Sequence, residues 1–343
     1  VGDWQALLGV NFRCHHLSWY TMRGEAKRDY PASILHQSAW HKEYKSMEDY
    51  FSRFGMLMAE GKPVCHVLVL NPVETFWAQV HLGWSKNLAL QDEHLKSLEL
   101  HYQELFFMLM SAQIDFDYGD EDMLSRLGSV DGSLLSLGQC SYTHVVVSGM
   151  ETIRSTTMDM LKDFSDQGGK EIVAGASPSH LDAEPSTMLP EVMSGFHHVP
   201  FQIDDIVSLL PEPEAMVEES EVFVQVRRSG SQLMVAALNI NREQKSGPVE
   251  VKIRGKGTIE LWDCTRGEVK RLDNVSYCDG WASFTSDFAE GESRIWMMDG
   301  DSSVADSFEL IESEKTIPIQ RVPLKGPFEF ELDEPNICVL DEA

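Results

Sequence analysis

The spacing of apolar residues changes twice along the chain, and each spacing predicts a different kind of structure. Between residues 40 and 61, apolar side chains fall three or four positions apart, at Tyr44, Met47, Phe51, Phe54 and Met58. This spacing places them on one face of an α-helix, and the glycine at 61 ends that helix before Pro63. Upstream, the apolar run at residues 9–16 predicts a buried strand. Residues 1–62 therefore predict one βα unit, of the kind that closes a (β/α) barrel.

Short apolar runs alternate with long amphipathic segments from residue 63 to residue 205. The runs that predict buried strands are residues 64–70, 114–118, 143–147 and 171–175. Apolar positions from Leu95 to Leu109, and again from Ile153 to Phe164, predict two amphipathic helices between these strands. Strands that alternate with helices in this way predict a parallel, flavodoxin-like sheet.

Two segments carry signals for the start of a helix. Asn71, Pro72 and Glu74 supply an N-cap, a first-turn proline and the acidic residue of a capping box. Ser148 and Glu151 supply a second capping box. The turn at residues 71–74 contains no glycine and places a carboxylate where an anion would bind. We therefore expect no bound flavin or nicotinamide, although parallel sheets often bind nucleotides.

After an acidic, proline-containing segment at residues 212–221, apolar residues recur at every second position. The predicted strands are residues 222–226, 233–240, 249–253, 258–262, 281–284 and 294–298. Short strands at this spacing predict an antiparallel β-sandwich. The predicted fold class is thus multidomain α/β plus all-β. Its domains are the C-terminal end of a (β/α) barrel at residues 1–62, a flavodoxin-like α/β domain at 63–212, a β-sandwich at 213–300, and a linker into a further, sugar-binding-like domain at 301–343.

The charge balance narrows the class of partner. The chain contains 28 Lys and Arg residues against 55 Asp and Glu residues, a formal net charge of -27. Nucleic acid and anionic membranes repel a strongly negative protein, so neither is expected as a partner. A neutral ligand such as a sugar fits better, although acidity alone also keeps a large protein soluble. The sequence has no apolar run of about 18 residues, the length that spans a membrane.

The six cysteines are widely scattered and show no CxxC spacing. This pattern indicates neither a disulfide framework nor a zinc site, and free thiols favour a cytoplasmic location. The chain begins at Val1 without a methionine, in sequence typical of the middle of a domain. We therefore expect the chain to be a fragment of a longer protein.

The loop after the first predicted strand is dense in aromatic and charged side chains, as ligand-binding loops of α/β folds are. The candidate substrate-binding residues there are His15, His16, Tyr20, Arg23, Arg28, Asp29, Tyr30 and Trp40. Neighbouring strand residues point to opposite faces, so one histidine of the pair faces a ligand, and His16 is preferred to His15. The aromatic rings suit the apolar face of a sugar. The arginines either bind an anion such as a uronate carboxylate or brace the loop.

A second candidate site is an acidic cluster at the end of the strand predicted at residues 114–118. Its candidate ligands are Asp117, Asp120 and Glu121. Clustered carboxylates bind hard cations or sugar hydroxyls; alternatively, the cluster is a solvated turn that caps the next helix. Glycoside hydrolysis needs two carboxyl groups that flank the bond, and no such pair is identifiable here. The catalytic residues therefore stay unassigned, and no metal site is predicted.

Several stretches share their pattern with one group of enzymes. They are Gly-Val-Asn at residues 9–11, His-Leu-Ser-Trp-Tyr-Thr-Met-Arg-Gly at 16–24, Lys-Arg-Asp-Tyr-Pro at 27–31, the acidic motif at 114–121, and an aromatic strand and turn at 259–269. Together, over roughly residues 5–335, they resemble large bacterial glycoside hydrolases related to the family 106 α-L-rhamnosidases. The first three are similar to the end of the catalytic barrel in those enzymes. The order of barrel, flavodoxin-like domain and sandwich is also the layout of family 42 β-galactosidases.

The resemblance implies a glycoside hydrolase, for example an α-L-rhamnosidase, that acts on O-glycosidic bonds of plant or bacterial glycans. It also implies that the catalytic carboxylates of this enzyme lie on barrel strands upstream of this chain. It implies a carbohydrate substrate and no hydrolysis by this chain alone. Separately, the flavodoxin-like domain, without nucleotide-binding features, is a candidate surface for forming a homo-oligomer. Family 106 enzymes are associated with calcium, but no ligand set matches these residues, so no cofactor is expected. A non-catalytic carbohydrate-binding or assembly scaffold is the alternative.

Overall fold

Helices and β-sheets both contribute to the part of the chain that the structure describes. The computed structural model describes residues 1–14, 16, 36, 38–87 and 89–300, all within one unit, Val1–Val304. Its helices are α1 (Gly2–Leu7), α2 (Tyr44–Ala59), α3 (Val73–Gln79), α4 (Glu93–Ser111), α5 (Glu121–Leu127), α6 (Ser155–Asp166), α7 (Leu189–Val192) and α8 (Ile203–Val207), with a 3₁₀ turn at Met193–Gly195. Among these residues, every helix is too short or too polar to cross a membrane.

The strands of the first 200 residues are short. They are β1 (Lys62–Pro63), β2 (Val67–Leu70), β3 (Ser85–Lys86), β4 (Ala89–Leu90), β5 (Phe116–Gly119), β6 (Gly128–Asp131), β7 (Leu134–Leu137), β8 (Cys140–Tyr142), β9 (His144–Ser148), β10 (Thr152–Ile153), β11 (Lys170–Ala174), β12 (His180–Leu181), β13 (Glu184–Pro185) and β14 (His197–Val199). The later strands, most of them longer, are β15 (Ala215–Val217), β16 (Val222–Ser229), β17 (Gln232–Asn239), β18 (Ser246–Arg254), β19 (Gly257–Asp263), β20 (Glu268–Arg271), β21 (Ser276–Cys278), β22 (Trp281–Phe288) and β23 (Ser293–Gly300).

Five strands form an all-parallel sheet in the spatial order β14-β11-β9-β2-β5. Counted along the chain this is the order 2-1-3-4-5, one of the two common orders of doubly wound sheets. Leu68 and Leu70 of β2 pack towards α5 and α6, whereas Val67 and Val69 pack towards α4 and α8. Because helices cover both faces, β2 and β9 are buried at every position, which explains the apolar runs at residues 67–70 and 145–147.

Two antiparallel sheets follow, ordered β1-β16-β17-β23-β19-β20 and β15-β18-β22-β21. They share one core, to which β16 contributes Val222, Val224 and Val226 and the four-stranded sheet contributes Val251 and Phe284. Alternate side chains of the six-stranded sheet point the other way and pack on α1, α2 and the end of α4. The central strands β16, β17 and β23 of the larger sheet are therefore buried on both faces.

The first predicted strand is wrong over the residues that the structure describes. Residues 10–14 form neither helix nor strand, and Val10 and Phe12 are 45% and 81% exposed. Residues Gly2–Leu7 instead form α1, which packs against α2 and the six-stranded sheet. A strand is stable only when a neighbour accepts and donates its backbone hydrogen bonds, and no described strand pairs with this segment.

The helix predicted after residue 40 is present as α2, but both predicted capping boxes are wrong. The N-cap of α3 is Pro72, without a side-chain cap, and Asn71 lies outside the helix. The helix α6 begins only at Ser155, because β10 first pairs with β12. Ser148 lies at the end of β9 and donates its hydroxyl hydrogen to the Ala174 carbonyl at 2.9 Å. The small sheet β6-β7-β8 was not predicted at all.

Candidate functional site

Most of the predicted substrate loop lies outside the described residues. This applies to His15, Tyr20, Arg23, Arg28, Asp29 and Tyr30. His16 is exposed and belongs to no helix or strand. Trp40 is 43% exposed, and its ring centre lies 6.0 Å from that of Tyr44, the first residue of α2. Sugar binding by this loop stays a prediction.

The helices that flank this loop in sequence are tied to the six-stranded sheet by polar contacts. The Asp3 carboxylate of α1 accepts hydrogen bonds from Tyr50 of α2 at 2.5 Å and from Ser293 of β23 at 2.6 Å. Arg53 of α2 donates to the carbonyl of Cys264 at 2.8 Å. Burial, reinforced by Asp3, raises the pKa of Tyr50, which keeps the phenol a donor. The described flanks of the loop are therefore fixed.

The structure does not present Asp117 at the carboxyl end of the parallel sheet. Asp117 lies within β5, where it pairs with Leu68 of β2. Its carboxylate accepts a hydrogen bond from the buried Tyr142 hydroxyl at 2.8 Å. Burial is the main cause that raises the pKa of Tyr142, and the Asp117 charge adds to it. Asp117 is thus engaged in holding β5 to the segment before β9.

Asp120 and Glu121 both serve helix starts. Asp120 is the N-cap of α5, and its carboxylate accepts hydrogen bonds from the amides of Asp122 at 2.8 Å and Met123 at 3.3 Å. Glu121 is fully buried and accepts a hydrogen bond from the Arg154 amide at 2.8 Å. Burial raises its pKa to about 7. Within the described residues, no group of three or more His, Cys, Asp and Glu side chains is arranged to hold a metal ion.

A residue absent from the sequence predictions occupies the place where doubly wound sheets bind ligands. That place is the crevice beyond β2 and β9, between which the strand order reverses. Thr75, 1% exposed, accepts hydrogen bonds there from the amides of Glu151 at 3.0 Å and Thr152 at 3.3 Å. The Glu151 carboxylate accepts a further bond from Gln79 at 2.8 Å. Side chains of α3 thus bridge the two sides of the crevice.

Thr75→Val should lower the free energy of unfolding by about 2 kcal/mol, because the buried Glu151 and Thr152 amides lose their acceptor while the side-chain shape is kept. Urea denaturation followed by circular dichroism measures the change. The matched control is Thr156→Val on α6, where the residue is exposed and the expected change is below about 0.5 kcal/mol. Equal stabilities of the two variants would contradict the bridging role of Thr75.

Comparisons with known proteins identify solved structures with a similar fold. No model of a known protein family and no curated protein matches the chain. A solved rhamnosidase from Novosphingobium sp. PP1Y superimposes with a TM-score of 0.62 at 15% identity, over 88% of this chain and 29% of that one. A β-galactosidase from Bacillus circulans sp. alkalophilus gives 0.48 at 12% identity, over 77% of this chain and 46% of that one. An α-L-fucosidase isoenzyme 2 from Paenibacillus thiaminolyticus gives 0.45 at 10% identity, over 76% and 51%.

The chain therefore shares its fold with the matching part of the rhamnosidase, a solved glycoside hydrolase. It spans less than a third of the length of that enzyme. At this identity the likeness concerns the fold and leaves the substrate unassigned.

Proposed function

We propose that this chain is part of a glycoside hydrolase that cleaves O-glycosidic bonds in plant or bacterial glycans, with α-L-rhamnosides as the leading substrate class. The observation that carries this proposal is the superposition on the rhamnosidase over 88% of the chain. A match of that extent cannot be confined to the parallel sheet or to the antiparallel sheets alone. In this proposal the parallel sheet is a flavodoxin-like domain, supported by its 2-1-3-4-5 order, and the antiparallel sheets form a β-sandwich.

The catalytic carboxylates are proposed to lie outside the described residues, on barrel strands upstream. The described candidates Asp117, Asp120 and Glu121 support this, because each is already engaged inside the fold by the contacts above. Hydrolysis needs one carboxyl group that protonates the leaving oxygen and a second that acts as nucleophile or base. Residues 1–62 are proposed as the end of that barrel.

The loop residues are proposed to bind the sugar and not to break the bond. His16, Arg23 and Arg28 have donors for sugar hydroxyls or a carboxylate, and Tyr20, Tyr30 and Trp40 have flat apolar faces for a pyranose ring. The described helices on either side of this loop support the proposal, since Tyr50 ties α2 to Asp3 of α1 and Arg53 ties α2 to the Cys264 carbonyl just after β19. Anchored flanks reduce the entropy lost when a loop closes on its ligand.

The test is an assay of the protein as its gene encodes it, against aryl glycosides that include an α-L-rhamnoside and a β-galactoside. We expect turnover of one substrate, and a roughly 10- to 100-fold fall in kcat/KM for each of His16→Ala, Arg23→Ala and Arg28→Ala, as for a lost hydrogen bond to a charged or polar ligand group. Thermal unfolding checks that each variant is folded.

The control is Lys162→Ala, which removes an exposed cation from α6, where Lys162 pairs only with Asp166 among the described residues. Its kcat/KM should equal that of the unchanged protein. Turnover unaffected by all three loop substitutions would remove the loop from the substrate site. Absence of turnover across the panel would contradict the glycosidase proposal itself.

The carboxylates of Asp117, Asp120 and Glu121 all accept hydrogen bonds from within the fold. This favours a second candidate function, a non-catalytic carbohydrate-binding or assembly scaffold. This candidate predicts sugar binding without turnover. Isothermal titration with the same sugars, in parallel with the assay, separates the two candidates.

A further inference from the structure

Glu121 is a fully buried acid at the meeting point of three helix starts. It is the first residue of α5, and its Oε2 accepts a hydrogen bond from the backbone amide of Arg154, the residue before α6. Glu74, in the first turn of α3, forms an ion pair with the Arg154 guanidinium at 2.5 Å. The starts of α3, α5 and α6 therefore join through Glu74, Arg154 and Glu121.

The cations near Glu121 are already used by other carboxylates. The Arg154 guanidinium lies 2.5 Å from Glu74 and 3.8 Å from Asp122. Asp122 also pairs with Arg126 at 2.7 Å. Across the described part of the chain, no basic side chain comes within ion-pairing distance of Glu121. An ionised Glu121 would therefore be a buried charge without its own counter-ion, which costs several kcal/mol.

The groups around Glu121 favour different protonation states. The Arg154 amide donates to Oε2 at 2.8 Å, and the Thr157 hydroxyl faces the carboxyl group as a second donor, so both favour the ionised form. Burial, the largest effect, and the neighbouring Glu74 charge favour the neutral form. The net effect of these groups is to favour the neutral form of Glu121 in the folded protein.

We propose that Glu121 is a proton-operated latch: its protonated side chain holds the starts of α3, α5 and α6 together, and loss of the proton loosens this edge of the parallel sheet. The charged groups that act on it are Glu74 from α3 and Arg154, the residue before α6, and Arg154 also pairs with Asp122 of the helix that Glu121 begins. The latch does not depend on the proposed glycosidase function.

The direction of the pH effect follows from the two states of the carboxyl group. Burial raises the pKa of Glu121 from 4.5 to about 7 in the folded protein. The stabilising effect of the proton is therefore fully present below pH 4.5 and is lost as the pH rises through 7. Asp115 has a pKa that burial also raises to about 7, so the pH dependence of overall stability contains both groups. A local measurement is needed to isolate Glu121.

Hydrogen exchange of the full chain provides that measurement. The exchange rates are corrected for intrinsic exchange and compared at residues 72–76, 120–124 and 154–158. We expect protection of these segments to fall at least about tenfold between about pH 5 and 8 in the unchanged protein. In Glu121→Gln it should vary less than about twofold over this range, because the amide cannot ionise and its oxygen still accepts from the Arg154 amide. Glu99→Gln, at an exposed position of α4, should behave as the unchanged protein.

Identical pH profiles in the unchanged protein and in Glu121→Gln would overturn the latch. If Glu121→Gln does not fold, carbon-13 NMR of the Glu121 carboxyl group in the unchanged protein replaces it. Titration of that carboxyl group between about pH 6 and 8 supports the latch, and titration below about pH 5 overturns it.

Discussion

Gln113→Ala should lower the free energy of unfolding by about 3 kcal/mol or more, because it leaves several buried backbone groups unpaired. Gln113 is buried directly after α4 and bridges to the segment that opens the antiparallel sheets. Its amide nitrogen donates to the carbonyls of Val217 at 2.7 Å and of Val222 at 3.3 Å. Its amide oxygen accepts from the Val217 amide at 2.8 Å. One side chain thus joins the parallel sheet to β15 and β16.

Urea denaturation followed by circular dichroism and by tryptophan fluorescence measures this effect. Gln91→Ala is the control, since exposed Gln91 bonds only to nearby carbonyls of its own hairpin among the described residues and should change stability by less than about 0.5 kcal/mol. If Gln113→Ala is no less stable than Gln91→Ala, the bridge contributes nothing to the coupling of the two sheets.

Phe54→Ala should cost about 3 to 5 kcal/mol, the usual range for removing a fully buried phenylalanine ring. Phe54 lies on the inner face of α2 and packs with Phe223 and Ile295 of the six-stranded sheet. Its ring also stacks on Tyr50, with 5.7 Å between ring centres. The substitution leaves a cavity beneath the helix that follows the predicted substrate loop.

Met56→Ala on the same helix is the matched control, because Met56 is 62% exposed and its loss should change stability by less than about 0.5 kcal/mol. Thermal and urea unfolding of the two variants, with hydrogen exchange of α2, measure the contrast. Similar stabilities for Phe54→Ala and Met56→Ala would mean that α2 is not anchored through Phe54.

An element was predictable from the sequence where its buried positions follow a regular spacing over a few residues. β2 and β9 contain the apolar runs at residues 67–70 and 145–147, because helices cover both faces of the parallel sheet. α2 shows the three-or-four spacing because only one of its faces packs on a sheet. The strand predicted at residues 9–16 has apolar residues only at some positions, Val10, Phe12 and Cys14 among them, and residues 10–14 form no strand. Apolar character indicates burial, but a strand also needs a partner strand.

The acidic cluster shows how far a candidate site can be predicted. The alternative prediction is that the cluster caps the next helix, and Asp120 is indeed the N-cap of α5. An N-cap can be predicted because it depends on residues only two or three positions apart. The burial of neighbouring Glu121 was not predictable, because its partner Arg154 lies 33 residues further along the chain. Thr75 was missed for the same reason, since the Glu151 and Thr152 amides that donate to it lie 76 and 77 residues further along the chain.

By itself, the sequence determined the segments that form the long helices α2, α4 and α6 and strands such as β2, β9, β16 and β17, because residues within a few positions of one another decide those patterns. Only the tertiary structure decided the order of the parallel strands, the absence of a strand at residues 10–14, and the roles of Gln113, Thr75 and Glu121. The hydrogen-bond partners of Gln113, Thr75 and Glu121 lie 104, 76 and 33 residues away along the chain, respectively. Contacts at such separations arise only when the chain has folded, so no local pattern records them.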